Sequence, residues 1–265
     1  MNKSIDVSVE YAAVPQRMSE INGLVVRQKT QKSEALAQAI GLPFEAANKY
    51  RISALPPNKV VKNAPDDPDG WEPTQEELEQ LDGFLFAHEE SHCLTRTCFT
   101  WLGCKQLRPL RMHFSVAGAT GDVFVIDRPF MMGGSCCCPL EMNVSGVSAD
   151  GQPGRRLGRI HGSYEKRYSL RTNLACCGRV NNCCGATCCK NDAVYDILDA
   201  KGQIVAHLQR TYGRGASGLG ACCRMSFNFN NYVLEFPRDS SAEDRVLLLM
   251  ALFQVEYQHF EGQDE

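Results

Sequence analysis

Val246-Leu247-Leu248-Leu249-Met250-Ala251-Leu252-Phe253 is the longest unbroken apolar run in this 265-residue chain. Ahead of it Ser240-Ser241-Ala242-Glu243 resembles a capping box, and strong helix formers continue from Asp244 to Phe260, so a helix is expected over about 241–260. Around the run no face of that helix is polar, and such a helix needs burial all round. Its eight residues fall far short of the roughly 20 that cross a bilayer, and Gln254 and Glu256 interrupt it. In a chain made mostly of strands, the natural enclosure is a sheet closed around it. Eight-stranded barrels fill with side chains, whereas wider cans leave a lumen that can hold a helix.

The rest of the chain supplies such strands. Leu110, Met112, Phe114 and Val116 alternate with Arg111, His113 and Ser115, and Val123-Phe124-Val125-Ile126 returns after a turn. A second unit repeats the plan: Val194 to Leu198, a turn at Asp199-Ala200-Lys201-Gly202, then Ile204 to Leu208. Each unit leads through a glycine-rich, cysteine-bearing link to another alternating strand, Leu140 to Val144 and Met225 to Phe229. Gly23 to Arg27 starts a further strand, Gly83-Phe84-Leu85-Phe86 reads as another, and Ser33 to Ile40 reads as a short helix ended by Gly41 and Pro43. Residues 1–22 lack periodicity and read as a flexible N-terminal segment ahead of one domain at 23–262. Residues 56–82, broken by five prolines, read as an acidic loop inserted into that domain. From Asn63 to Thr95 there is no Lys or Arg and there are ten Asp and Glu residues, so the loop is read as solvated, with a partner-binding acidic arm as the alternative.

Charge and cysteines narrow the function. A net charge of -3 excludes a chain that is basic throughout and held to nucleic acid by bulk electrostatics. No secretory, myristoylation or prenylation signal is visible, which points to the cytosol. Eleven of the fourteen cysteines stand in adjacent pairs or a triplet, and vicinal cysteines bridge poorly, so thiols are expected in preference to disulfides. Cys136, Cys137 and Cys138, after Gly133-Gly134-Ser135, are read as S-acylation sites, because two chains make a stable membrane anchor where one does not. Cys176-Cys177, Cys183-Cys184 and Cys188-Cys189 have no knuckle spacing, so structural thiols are preferred there to a zinc site. Arg155, Arg156, Arg159, Lys166, Arg167 and Arg171 form the most basic stretch, with Tyr164 and Tyr168 interleaved. Anionic lipid headgroups attract such a stretch, and a solvated edge of strands is the alternative. His88-Glu89-Glu90-Ser91-His92 matches the zinc-protease pattern H-E-x-x-H, which needs both histidines on one helix face; the strand preceding it argues against that chemistry.

Taken in order, Asn48-Lys49-Tyr50, Cys93-Leu94-Thr95-Arg96-Thr97-Cys98, Asp127-Arg128-Pro129, Ser135-Cys136-Cys137-Cys138-Pro139, the later cysteine pairs, Glu235-Phe236-Pro237 and the final apolar helix resemble the phospholipid scramblase family. The resemblance implies a closed, tubby-like barrel of twelve antiparallel strands around the C-terminal helix, and association with the cytoplasmic face of the plasma membrane or another membrane. It also implies calcium-activated, energy-independent mixing of phospholipids between leaflets, or its regulation, and no chemical reaction. The family's calcium segment falls here on Asn228, Asn230, Asn231 and Tyr232, with Glu235 and Asp239 nearby. Calcium affinity rises with ligand charge, so amides in place of carboxylates predict a weak or lost site. A single short apolar run cannot carry headgroups through hydrocarbon, so direct transport implies oligomers, and regulation of scrambling done by something else is the other reading. Competing readings are a tubby-like lipid-binding or interaction module without transport and, far behind, a zinc metalloprotease.

Overall fold

A computed structural model describes residues 7–29, 48–64, 67–90, 109–117, 121–129, 141–147, 153–161, 167–170, 179–180, 193–211 and 230–257. The apolar run lies in α3 (Ala242–Val255), and every residue from Asp244 to Val255 is buried. Ser241 and Asp244 cap it reciprocally: the Ser241 hydroxyl accepts from the Asp244 N–H at 3.2 Å, and the Asp244 carboxylate accepts from the Ser241 N–H at 2.9 Å. The cap fixes where the helix begins, since two otherwise orphaned N–H groups are satisfied there.

Twelve strands form one antiparallel sheet: β1 (Gly23–Lys29), β2 (Lys49–Ala54), β3 (Gly83–Glu90), β4 (Leu110–Val116), β5 (Asp122–Arg128), β6 (Glu141–Val147), β7 (Pro153–His161), β8 (Ser169–Leu170), β9 (Arg179–Val180), β10 (Ala193–Leu198), β11 (Ile204–Thr211) and β12 (Asn231–Glu235). The order across the sheet is β7-β6-β5-β4-β3-β2-β1-β12-β11-β10-β8, with β9 also on β10. Both hairpins read from the sequence are present, as β4–β5 and β10–β11, and β5 goes on to pair with β6; the strand expected at Met225–Phe229 lies outside the described residues, and β11 pairs with β12. The Asp199–Gly202 turn forms as expected. The Asp199 carboxylate accepts from the N–H groups of Lys201 and Gln203, and Gly202 takes φ 79°, a conformation that glycine adopts without a Cβ penalty.

Period two sorts the strands into faces. Leu24 and Val26, Tyr50 and Ile52, Leu85 and Ala87, Met112 and Phe114, Phe124 and Ile126, Tyr195 and Ile197, Ala206 and Leu208, Tyr232 and Leu234 all join α3 in a single core. Tyr50 and Phe114, from strands two apart, meet Phe253 edge-on at centroid distances of 4.9 and 5.4 Å. The sheet therefore wraps the helix, as the all-apolar run demanded. Hydrogen bonds among the described residues do not join β7 to β8, so the closed twelve-stranded barrel is not drawn by the ladder itself.

Two segments depart from the sequence reading. The N-terminal segment expected to be flexible is helical as α1 (Val7–Glu20), and Val14, Met18 and Ile21, spaced as one helix face, enter the core against α3. Pro15, which lacks an N–H, sits inside this helix and hid its period. Arg245 ties it down: its Nη1 donates to the carbonyls of Met18 and Ile21 at 2.6 and 2.8 Å, satisfying acceptors left over at the helix end. Arg245→Ala is expected to lower stability by about 2–3 kcal/mol, since charge-assisted bonds to buried carbonyls are lost, and to accelerate amide exchange in residues 7–21 selectively. Uniformly unchanged exchange there would contradict the role.

The acidic insertion is not a solvated loop throughout. Leu55, Val61, Trp71 and Leu78 pack with Val25 and Val233 in a second apolar cluster on the outer face of β1 and β12. The strap contains a short helix, α2 (Gln75–Gln80), with its own Thr74–Glu77 capping box. Lys62, buried, pairs with Glu72, and Gln209 of β11 accepts from the Lys62 N–H at 3.2 Å while donating to the Trp71 carbonyl at 3.0 Å. Composition misled because prolines and acids outnumber the few apolar anchors. Gln209→Ala removes both ties; a loss of about 1–3 kcal/mol and faster proteolysis within 56–82 are expected.

Candidate functional site

At the C-terminal end of α3 the apolar interior gives way to a buried polar layer. Glu256 and Tyr257 continue the helix as a π turn, and Glu256 is enclosed. Tyr232 donates its hydroxyl to Glu256, Asn230 Nδ2 donates to Glu256 Oε1 at 2.9 Å, and Tyr50 OH lies 3.5 Å from the same oxygen. Arg210 Nε and Nη2 both donate to Asn230 Oδ1, at 2.9 and 2.5 Å. Burial pushes the Glu256 carboxyl above its ordinary value, and the Tyr232, Asn230, Arg210 and Tyr50 groups offset this only in part. Tyr232 and Tyr50 are held well above the usual phenol range, first by burial and then by neighbouring groups including Glu256.

A second buried carboxylate extends the layer. Glu89 of β3 accepts from Tyr257 OH at 3.0 Å and from Asn48 Nδ2 at 3.2 Å, and the Arg128 guanidinium lies 5.8 Å from the Tyr257 ring. Asn48-Lys49-Tyr50 and Asp127-Arg128-Pro129, two of the motifs that carry the family resemblance, thus place Asn48, Tyr50 and Arg128 around the end of the core helix. Glu256 and Glu89 were not singled out from the sequence. The available signal was Glu256 itself, a carboxylate breaking an otherwise apolar helix.

The segment implied for calcium is divided by strand alternation. Asn230 and Tyr232 face the interior, where their polar atoms bind Arg210 and Glu256. Asn231 and Val233 are covered on the outer side, Glu235 is half-buried with its carboxyl raised mainly by burial, and Asp239 is exposed in the following loop. Asn228 lies outside the described residues. The described positions therefore do not converge on one cation and do not fit a calcium site. Among the described residues no group of three or more His, Cys, Asp or Glu side chains is arranged to hold a metal ion.

The H-E-x-x-H match falls on strand β3. His88 is exposed on the outer face, Glu89 is buried on the inner one, and His92 lies outside the described residues. A strand sends adjacent residues to opposite sides, so His88 and Glu89 face apart, and the described part of the motif is strand and not the helix that zinc-protease chemistry needs. Cys136, Cys137, Cys138 and Lys166 lie outside the described residues. Arg155, Arg156 and Arg159 belong to β7, which places them on a strand at one end of the sheet order. Arg167 Nη1 donates to Asp244 Oδ2 at 2.6 Å, so its charge is turned toward the α3 cap.

The sequence model of the family described as Scramblase matches residues 78–262. The chain is similar to human phospholipid scramblase 1, 21% identical over 250 residues that make up 92% of this chain and 65% of that protein, so under two-thirds of the relative's length is spanned. No solved structure matches the chain.

Proposed function

The chain belongs to the scramblase family, and from that premise we propose that it works at the cytoplasmic face of a membrane, where it moves phospholipids between leaflets or controls that movement. The observation that carries this reading is the enclosure of α3: with its apolar run inside the sheet and no helix among the described residues long and apolar enough to cross a membrane, attachment comes from the surface. S-acylation of Cys136, Cys137 and Cys138 supplies the anchor. Arg128 and Glu141, the strand ends flanking that triplet, lie at the same end of the sheet as Glu256. We further infer that the sheet closes beyond β7 and β8 into a complete barrel, which removes its free edges.

The interior is filled by the helix and the side chains around it, so headgroups pass along the outside of the protein, between several copies or through another protein that this one regulates. Calcium binding at this segment is weak or lost in this reading, which the commitment of Asn230 and Tyr232 to the core supports. A tubby-like lipid-binding module without transport remains the second reading, favoured by the cationic outer face of β1 and β2.

Acylated protein in liposomes carrying a leaflet-specific lipid reporter tests the first reading. Lipid exchange that rises steeply with copies per vesicle, independently of calcium, is expected of direct transport. Firm membrane binding with no lipid movement at any protein density would remove direct transport and leave regulation of another protein or the binding reading.

A further inference from the structure

The register of the central strands assembles a row of two lysines and two histidines that no single strand shows. Lys29 stands opposite Lys49, Lys49 opposite His88, and His88 opposite His113, across β1, β2, β3 and β4. Two residues further along, Arg27 stands opposite Arg51 and Arg51 opposite Phe86. Their neighbours Val26, Tyr50, Ile52, Leu85, Ala87, Met112 and Phe114 are in the core, so the whole array faces outward. With strands about 4.8 Å apart, the four-residue row is about 15 Å long and nearly straight.

The described carboxylates on this face pair with the margins of the array, Arg27 and His113, and not with its lysines. Glu79 pairs with Arg27 at 2.9 Å, while Asp122 and Glu90 take the two ring nitrogens of His113 at 2.7 and 2.8 Å. Among the described residues no carboxylate pairs with Lys29 or Lys49, both of which are exposed. Lys29 Nζ lies 5.3 Å from the Phe86 ring, and the His88 and His113 rings stack at 5.1 Å. Burial first, then the neighbouring His113 and Lys49, pushes the His88 ring below its ordinary value, with Asp122 and Glu90 opposing, so His88 joins the row as a hydrogen-bonding group more than as a charge.

Like charges directly opposite each other on antiparallel strands are destabilising. Lysine is common on edge strands, where it blocks pairing with other chains, but β1 and β2 lie in the middle of this sheet. Nor does the row follow from general basicity, since the chain carries a net charge of -3. We propose that the Lys29–Lys49–His88 row, flanked by Arg51, is a docking surface for the anionic phospholipid headgroups of a bilayer. Among the described residues the row is exposed and unenclosed, which suits a planar array of phosphates better than a single soluble anion. The row also sits at the end of the sheet where β5 stops at Arg128 and β6 begins at Glu141, so a chain acylated between them presents this face to the same membrane.

This inference rests on the reading of the protein as membrane-bound, and its test is independent of lipid movement between leaflets. Unacylated full-length protein is sedimented with vesicles of phosphatidylcholine alone, or with about a quarter phosphatidylserine, at low ionic strength. Two lysines at roughly fivefold each predict that Lys29→Gln with Lys49→Gln weakens binding to the anionic vesicles about 30-fold, while binding to neutral vesicles and the melting temperature stay the same or improve. Arg155→Gln with Arg156→Gln and Arg159→Gln serves as the comparison and is expected to have the smaller effect. Unchanged binding by the lysine variant would overturn the assignment, as would a loss confined to the arginine variant. A lysine-dependent affinity for a single-stranded oligonucleotide exceeding that for vesicles would overturn it too. Lysine-dependent binding without any scrambling would leave the surface assigned and remove direct transport.

Discussion

Phe253→Ala is expected to destabilise the protein by about 3–5 kcal/mol, a large share of the roughly 5–15 kcal/mol that holds a domain folded. Phe253 is fully enclosed, with Tyr50 and Phe114 edge-on against its ring, so its removal opens a cavity that the surrounding strands cannot collapse to fill. Urea titration measures the loss directly. Leu249→Lys, which places an ammonium at another fully buried position, is expected to prevent folding altogether. A folded Leu249→Lys protein of normal stability would mean that this side of the helix faces solvent or lipid.

Arg210→Ala is the second large effect, at about 3–5 kcal/mol once pH exceeds the raised Glu256 value, because the buried carboxylate is then left uncompensated. Arg210 both fixes the Asn230 amide and opposes the Glu256 charge. Glu256 carries a pH signature of its own. Its carboxyl is raised by burial, so the folded protein keeps the proton to a higher pH than the unfolded chain, whose ordinary value is 4.5. The contribution of Glu256 to stability is therefore complete below that value and is lost as pH rises through the folded-state value. Glu256→Gln removes this slope: relative to the wild type, the variant should gain stability as pH rises from 4.5 toward neutrality. Parallel stability curves for the two proteins would contradict the buried, proton-holding carboxylate.

How much of this could be read in the sequence depended on whether the signal was local. Val246 to Phe253 declared an enclosed helix because no rotation gave it a polar face. The alternation in 110–116 and 194–208 declared half-buried strands. In contrast, the stripe that α1 shows among its described side chains, Val14 and Met18 with Ile21 just beyond the helix, is interrupted by Pro15. The strap at 56–82 hides three buried anchors, Val61, Trp71 and Leu78, among acids and prolines that composition alone assigns to solvent.

The site divides the same way. Glu256 was visible as an interruption of the helix, but its hydrogen-bond partners come from β2, β12 and the residue before β12, 24 to 206 residues away in the chain. The split of Asn230 and Tyr232 from Asn231 and Glu235 required knowing that this stretch is a strand and which side is covered. The lysine row requires the register of four strands, since each contributes one residue and none is basic enough to notice alone.

The central claim is that α3 is the enclosed core of the sheet. Hydrogen exchange of the intact protein, read peptide by peptide with and without liposomes, tests it most directly. Amides of residues 246–255 should exchange only through global unfolding, as slowly as those of β1 and β12, whether or not lipid is present. Exchange within minutes in water, with protection gained only on adding liposomes, would show that the helix belongs to the bilayer and contradict the account.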